Sequence, residues 1–414
     1  MKSISLSFQV HQSFQLKRYR FFDVGNDSYY YDDFENERKV RLAAKKFYLP
    51  TNEILIGLLK KYSGRFKIAF SISGIALDQF YLYAPEVIES FQRMADTGGV
   101  EFFGETYSYS LASLFNKDEF IRQSKAHVQK IEKLFNQTPI VYKNTELIYS
   151  DAIGEMVAQM GFKAILTEGA KHILRWRSPN YLYHNPKSPE LYLLLKNNRL
   201  SEDVALGFAN ADRFGCSGIS NNFISILNNI PLQEPIVNLF VDYKFAGKGQ
   251  NKGNGINKFL KSLSSSIMEM TDYKFMTPSE ISDNYLPVSE IPIPEPISRG
   301  SREERDLSAW VGNELQQEAL KKLYSVNDKI ENCHNSDLLR DWQYLQSLDH
   351  LYFMSSKFFS NREVASLTNP YNSPYEAFMN YMNILDDFVN RLNHAVRKTM
   401  RRFIYSKSKE LVKG

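Results

Sequence analysis

Acidic side chains end several short apolar runs along this 414-residue chain. They are Glu105, Glu146, Glu168 and Asp242, and His11 ends the first run in the same manner. Paired carboxyl groups are the apparatus of glycoside cleavage, because one attacks or stabilises the anomeric carbon while the other protonates the leaving oxygen. Aromatic rings stack on sugars, and the chain contains 29 Phe, 25 Tyr and 3 Trp. These residue types favour a carbohydrate-active site without specifying one.

Other chemistries lack their motifs. We find no P-loop, dinucleotide fingerprint, Gly-x-Ser-x-Gly or His-Glu-x-x-His pattern, and the 7 histidines are scattered. Only two cysteines occur, Cys216 and Cys333, far apart in sequence, which argues against a disulfide scaffold or a zinc site. A net charge of +4 is too small to bind nucleic acid or anionic lipid by charge alone. We therefore expect no metal, no cofactor and no nucleic-acid partner.

The amino terminus carries no predicted targeting signal. Residues 1–12 alternate apolar and polar types instead of running apolar after a basic start. Nowhere does the chain approach the ~18 consecutive apolar residues of a membrane span. We expect a soluble, cytoplasmic protein without membrane contact, and the sequence leaves its oligomeric state open.

Strands and helices alternate through the first two thirds of the chain. Ile4, Leu6, Phe8 and Val10 have the period-2 spacing of a strand with one buried face. Short apolar or β-rich runs follow at 67–72, 100–103, 139–142, 163–166, 237–241 and 273–276. Between them, stretches such as 52–62 and 118–135 are long enough for helices. This rhythm predicts an α/β barrel, whose active site lies at the carboxyl ends of the strands.

The rhythm stops in a stretch with prolines at 287, 292, 294 and 296. Because proline at this density cannot continue a helix or a central strand, we place the domain boundary there. Ser301 and Glu304 fit a capping box, and apolar residues recur at helical spacing over 307–323 and 378–396. Trp310 and Trp342 are expected in the helical core. The prediction is a catalytic barrel over 1–290 and an α-helical domain over 300–414, packed on the barrel.

Five segments, in order, resemble the motif series of glycoside hydrolase family 57, in its α-amylase branch. They lie at 8–12, 104–107, 143–149, 241–243 and 349–352. The resemblance covers residues from about 4 to 386. It implies an incomplete seven-stranded β/α barrel followed by a C-terminal α-helical domain. It also implies action on α-glucans with retention of configuration and without a metal cofactor.

The same resemblance assigns the two carboxylates. Glu146 matches the family nucleophile in the NTELIY segment, and Asp242 matches the general acid/base in the VDY segment. The chemistry needs an ionised carboxylate that attacks and a partner that carries a proton. The structural alternative for Glu146 is an ion pair with a lysine such as Lys143.

Further residues, some in the motifs and one outside them, are candidates for binding sugar. His11 and Gln12 match the motif that contributes to a glucose-binding subsite, with a strand-end histidine satisfied by the backbone as the alternative. Glu105 either positions sugar hydroxyls or ties down a neighbouring loop. Trp176 lies in a polar loop, where a wide ring is costly unless it is covered or stacked.

Asp349 and His350 match a motif that, in the family, lies on the helical domain and reaches toward the barrel mouth. Helix capping or an interdomain hydrogen bond is the alternative for both residues.

Several supporting positions depart from the family pattern. Acids of the motif after Asp242 are replaced by Lys244 and Lys248, and three histidines are replaced by Tyr109, Gly249 and Ala365. A lysine near Asp242 favours the ionised carboxylate, whereas an acid must begin protonated. The prediction is a retaining α-amylase or 4-α-glucanotransferase acting on intracellular α-1,4-glucan. The alternative is a weakened relative that binds α-glucan without efficient hydrolysis.

Overall fold

The computed structural model describes residues 2–214, 216–243, 255–299, 304–357 and 369–411. The chain divides into two compact units. Unit 1 comprises Met1–Gln12, Phe34–Tyr107 and Phe120–Asp306, and unit 2 comprises Ser13–Asp33, Ser108–Glu119 and Leu307–Gly414. Each unit is therefore assembled from three separate stretches of sequence.

A parallel sheet forms the centre of unit 1. Its strands are β1 (Lys2–Val10), β2 (Ile68–Ile72), β3 (Val100–Phe102), β4 (Val141–Lys143), β5 (Ala164–Glu168), β7 (Tyr192–Lys196) and β8 (Ile236–Asp242), with β6 (Leu182–His184) and β9 (Tyr273–Phe275) beside them. The hydrogen-bonded order is β3-β2-β1-β8-β7-β5-β4. β6 pairs antiparallel with β7, and β9 pairs parallel with β1. The expected incomplete seven-stranded β/α barrel is confirmed.

The first strand, β1, is buried on both of its faces. Ile4, Leu6 and Phe8 lie in the main apolar cluster, as their alternation predicts. The intervening Ser5 and Ser7, however, are also almost inaccessible to solvent. The prediction of one buried face was therefore wrong, because a barrel strand is covered on both faces and small hydroxyl side chains fit the interior.

Helices surround the strands of unit 1. They are α1 (Asp33–Ala43, whose first residue is assigned to unit 2), α2 (Leu49–Lys61), α3 (Gly74–Tyr83), α4 (Pro85–Ala95), α6 (Lys117–Phe135, entering from unit 2), α7 (Asp151–Gln159), α8 (Lys171–Leu174), α9 (Asn198–Phe214), α10 (Cys216–Asn228), α11 (Gly255–Met270) and α12 (Pro278–Asn284). The helices expected at 52–62 and 118–135 correspond to α2 and α6. The strands β6 and β7 were not predicted from the sequence. β7 is one of the seven strands of the barrel, whereas the predicted strand at 273–276, β9, lies beside it.

The proline-spaced stretch is bound to unit 1. The backbone of Ile297 pairs with that of Tyr149, and Ile293 donates its N–H to Asp151 Oδ1 at 2.9 Å. Ile291, Ile293 and Ile297 are all buried. Through these contacts the stretch packs within unit 1, whose last residue in sequence is Asp306.

Unit 2 is helical in its described part. Its elements are α5 (Ala112–Phe115), α13 (Ser308–Val311), α14 (Glu314–Tyr324), α15 (Asn327–Glu331), α16 (Ser336–Leu345), α17 (Leu348–Tyr352) and α18 (Pro374–Leu411). Trp310 and Trp342 are buried as expected, and the ring of Trp342 stacks on Phe388 at 6.1 Å. Ser301 of the expected capping box lies outside the described residues. No helix within the described ranges is long and apolar enough to cross a membrane.

Candidate active site

Glu146 lies directly after β4, in a short 3₁₀ turn at Thr145–Leu147. Asn144 caps this turn, because its Oδ1 accepts the N–H of Thr145 at 2.9 Å and its Nδ2 donates to the carbonyl of Ile148 at 3.0 Å. Glu146 and Leu147 have φ values of 49° and 54°, in the left-handed region that non-glycine residues rarely adopt. Such backbone strain costs about 1–3 kcal/mol per residue and concentrates at functional sites.

Asp242 is the last residue of β8, and its register partner on β1 is Gln9. The next residue, Tyr243, is buried among aromatic rings and donates its hydroxyl to Asn52 Oδ1. Phe8 and Phe70 each lie edge-on to the Tyr243 ring, with centroids 5.2 Å apart. A packed tyrosine therefore anchors the chain immediately after Asp242.

Arg299 joins the two carboxylates. Its Nε donates to Glu146 Oε2 at 2.7 Å and its Nη2 to Glu146 Oε1 at 3.3 Å, while the same Nη2 donates to Asp242 Oδ1 at 2.7 Å. The backbone N–H of Arg299 also donates to the carbonyl of Glu146 at 3.0 Å. Because Nη2 of Arg299 binds both carboxylates, the distance between Glu146 Oε1 and Asp242 Oδ1 cannot exceed the sum of the lengths of these two hydrogen bonds. The side chains of Glu146 and Asp242 thus meet at the carboxyl end of the barrel.

A buried cation supports the strand that leads to Glu146. Lys143, the last residue of β4, donates to Glu105 Oε2 at 2.9 Å and to Gln9 Oε1. The side chains of Lys143 and Glu105 both have 0% exposure. Burial lowers the pKa of Lys143, and the neighbouring Glu105 opposes that shift. Lys143 is thus ion-paired with Glu105 and also interacts electrostatically with Glu146, which is itself ion-paired with Arg299.

A second charged cluster lies at the ends of β5 and β7. Glu168 Oε1 is 3.2 Å from Arg305 Nη1, and Glu168 Oε2 is 3.6 Å from Lys196 Nζ. Arg305 Nη2 also donates to Glu202 Oε1 at 3.2 Å. Burial lowers the pKa of Lys196. Neither arginine was singled out from the sequence, because neither belongs to a motif that the sequence comparison used.

The predicted sugar-binding residues of unit 1 have different surroundings. His11 follows β1, and its Nδ1 is hydrogen-bonded to Ser73 Oγ at 2.8 Å. Gln12 is buried, and its carbonyl accepts from Gln79 Nε2 at 2.9 Å. Trp176 is 85% exposed, with the guanidinium of Arg177 5.4 Å from its ring centroid.

Two further predicted residues lie in unit 2. Asp349 accepts from the hydroxyl of Ser347 at 3.0 Å at the start of α17. His350 is buried, stacks on Tyr381 with ring centroids 5.2 Å apart, and lies 3.3 Å from the carbonyl of Tyr344 through Nε2. Within unit 2, these are the contacts of a packed helix.

The altered motif positions are only partly described. Tyr109 is buried in unit 2 with a φ of 53°, and its carbonyl accepts the N–H of Leu348 at 3.0 Å. Lys244, Lys248, Gly249 and Ala365 lie outside the described residues. Among the described side chains, no group of three or more His, Cys, Asp or Glu is arranged to hold a metal ion.

Sequence comparison defines the class of protein. The sequence profile described as Glycosyl hydrolase family 57 matches residues 5–294. The chain is also 33% identical over 409 residues to a Methanocaldococcus jannaschii protein named "Putative alpha-amylase", covering 96% of this chain and 86% of that protein. The chain therefore belongs to glycosyl hydrolase family 57, which confirms the resemblance seen in its motifs.

Solved structures show the same architecture. A GH57 branching enzyme of Thermococcus kodakaraensis superposes with a TM-score of 0.73 at 14% identity, over 96% of this chain and 91% of that chain. The alpha-amylase AmyC of Thermotoga maritima superposes with a TM-score of 0.63 at 14% identity, over 96% of both chains. At this level of identity the likeness establishes the fold, and the particular reaction is a separate question.

Proposed function

We propose that the protein is a retaining glycoside hydrolase of the α-amylase or 4-α-glucanotransferase type, acting on α-1,4-glucan in the cytoplasm. The observation that carries the proposal is the meeting of Glu146 and Asp242, which come from separate strands and share one nitrogen of Arg299. Family membership and the motif assignments support the same pair.

In this mechanism Glu146 is the nucleophile that attacks the anomeric carbon. Asp242 is the general acid that protonates the leaving oxygen and then the base that activates water or an acceptor sugar. Retaining enzymes hold their carboxyl groups roughly 5–5.5 Å apart, and inverting enzymes about 6.5–9.5 Å apart. Retention enters the proposal through the motif resemblance, and the contact of one Arg299 nitrogen with an oxygen of each carboxylate supports their acting as a pair.

The glucan contacts in the proposal come from the motif resemblance and, for Trp176, from the position of its wide ring in a polar loop. His11, Gln12 and Trp176 remain candidates for direct contact with sugar. Glu105 is fully buried against Lys143, so its proposed part is to support β4 behind the carboxylates. Asp349 and His350 remain predictions from their motif. The proposal uses no metal and no cofactor.

One observation favours the alternative, a protein that binds α-glucan with little hydrolysis. Arg299 engages both oxygens of Glu146 and one oxygen of Asp242, so the functional groups that must reach the substrate are already hydrogen-bonded. The replaced motif histidines point the same way. The enzyme and the binding protein would both bind α-glucan, but only the enzyme would turn it over efficiently.

Incubation of the purified protein with maltoheptaose distinguishes them. We expect shorter and longer maltooligosaccharides from a transferase, or shorter ones alone from a hydrolase. Proton NMR early in the reaction should show α-anomeric products if configuration is retained. Binding of maltoheptaose by calorimetry without any product would establish the binding function, whereas the absence of both binding and product would exclude α-glucan as the ligand.

A further inference from the structure

Two arginines close to each other in sequence reach into the carboxylates of the barrel mouth. Arg299 contacts Glu146 and Asp242, and Arg305 contacts Glu168 and Glu202. We call the described residues 297–299 and 304–306 the arginine strap. The strap belongs to unit 1 throughout, so its contacts with these carboxylates lie within one compact unit.

The strap is fixed by backbone and side-chain bonds at both ends. Ser298 donates its N–H to the carbonyl of Arg305 at 2.9 Å and its hydroxyl to the carbonyl of Asp306 at 2.6 Å. Arg305 has a φ of 53°, a strained conformation for an arginine. The chain is thereby folded back on itself, so that both guanidinium groups point into the same end of the barrel.

The position of Arg299 conflicts with catalysis by the two carboxylates it holds. Nε and Nη2 form a fork that covers both oxygens of Glu146, one of which must attack the anomeric carbon. Nη2 also lies between Glu146 Oε1 and Asp242 Oδ1, where the scissile bond of a glycoside would have to lie. Substrate and guanidinium therefore cannot occupy this position together.

We propose that the arginine strap is an autoinhibitory contact, in which Arg299 occupies the space between Glu146 and Asp242 until glucan displaces it. The proposal rests on the function proposed above. The three side chains have exposures of 16%, 12% and 27%, so the contact can be reached from solvent and competed for. Arg305, held by the fully buried Glu168, acts as the anchor that remains when Arg299 moves.

Limited trypsin digestion, followed by mass spectrometry, tests the strap without any sugar. Trypsin must take the arginine side chain into its own pocket, so cleavage after Arg299 reports release of that side chain. We expect Glu146→Gln combined with Asp242→Asn to accelerate this cleavage at least tenfold. The control is Glu53→Gln, which removes the partner of the surface residue Arg93 and should leave cleavage after Arg299 unchanged. Equal rates in wild type and the double variant, with equal melting temperatures, would overturn the proposal.

Maltoheptaose provides the second arm. It should accelerate cleavage after Arg299 in the wild type, because sugar and guanidinium compete; protection would overturn the proposal. Arg299→Ala should bind maltoheptaose at least tenfold more tightly than the wild type and turn it over faster. A fall in turnover with an intact fold would show instead that Arg299 positions the carboxylates. If neither the wild type nor Arg299→Ala binds maltoheptaose, the proposed function fails. The digestion without sugar then tests by itself whether Glu146 and Asp242 hold Arg299.

Discussion

Glu101 and Glu105 lie on and just beyond β3, and their carboxyl groups are stabilised in different ways. Toward the carboxyl end, Glu105 is paired with the equally buried Lys143. Toward the amino end, Glu101 is partly buried, its Oε2 accepts the backbone N–H of Ser279 at 3.0 Å, and the side chains of Ser279 and Thr277 also hydrogen-bond to its carboxylate. Burial raises the pKa of Glu101 to about 7.

The difference follows from what surrounds each end of the barrel. A cavity of about 350 Å³ adjoins Glu101. Lys67 also lines this cavity, but its ammonium group forms an ion pair with Glu280. At the opposite end Arg299, Lys143 and Arg305 are each within ion-pair distance of a carboxylate. Buried carboxylates at the candidate active site are thus kept with counter-charges, whereas the carboxylate far from it is left to protonate near neutral pH.

The largest expected effect tests the chemical role of the carboxyl end. Glu146→Gln and Asp242→Asn should each lower turnover of maltoheptaose by about 10³-fold or more while changing its affinity little, because each removes charge but little volume. Steady-state kinetics and calorimetry measure the two quantities. Glu101→Gln, the same kind of change at the amino end, is the control and should retain turnover. Turnover indifferent to both Glu146 and Asp242 would move the active site elsewhere.

A second test measures how much the buried ion pair of Lys143 and Glu105 contributes to the stability of the protein. Lys143→Met should lower the free energy of unfolding by about 3–5 kcal/mol, because Glu105 would remain buried without its cation. Adding Glu105→Gln to Lys143→Met should recover much of that loss. Urea denaturation at pH 7 gives both values. A loss below about 1 kcal/mol in the single variant would mean that Gln9 and water replace the lysine.

At the amino end of the barrel, Glu101 should make the free energy of unfolding depend on pH. Because the folded pKa of Glu101 lies above its ordinary value, the folded protein favours the protonated form, and stability falls as pH rises from about 4.5 through 7. Glu101→Gln removes this dependence. We expect the variant to be more stable than the wild type by about 1–2 kcal/mol at pH 8 and equally stable at pH 4.5. Denaturation curves at the two pH values test this, with the exposed Glu89→Gln as control; equal stabilities at pH 8 would contradict it.

The smallest effect concerns the exposed ring of Trp176. Trp176 is 85% exposed, so Trp176→Ala should change the free energy of unfolding by less than about 0.5 kcal/mol. If the ring stacks on glucan, the same change should weaken maltoheptaose binding by about 1 kcal/mol, and Trp176→Phe should restore most of it. Calorimetry decides, and unchanged affinity in Trp176→Ala would remove this residue from the binding surface.

Local pattern determined much of the protein. The alternation at Ile4, Leu6 and Phe8 predicted β1, helical spacing placed Trp342 in a core, and the motif around Glu146 identified the family. Each of these signals lies within a short window of sequence. β7 was missed, because periodicity cannot tell the short apolar run at 192–196 from part of a helix, and its pairing with β5, β6 and β8 exists only in the fold.

The candidate site divides in the same way. Glu146 and Asp242 could be named from the sequence because each lies at or shortly after the end of a strand, inside a recognisable motif. Arg299 could not, since its partners Glu146 and Asp242 are 153 and 57 residues away and nothing in its own neighbourhood encodes the contact. Which carboxylate each cation pairs with is decided by how the strand ends and the returning strap converge in space, because the ion pairs form between groups brought together only by folding.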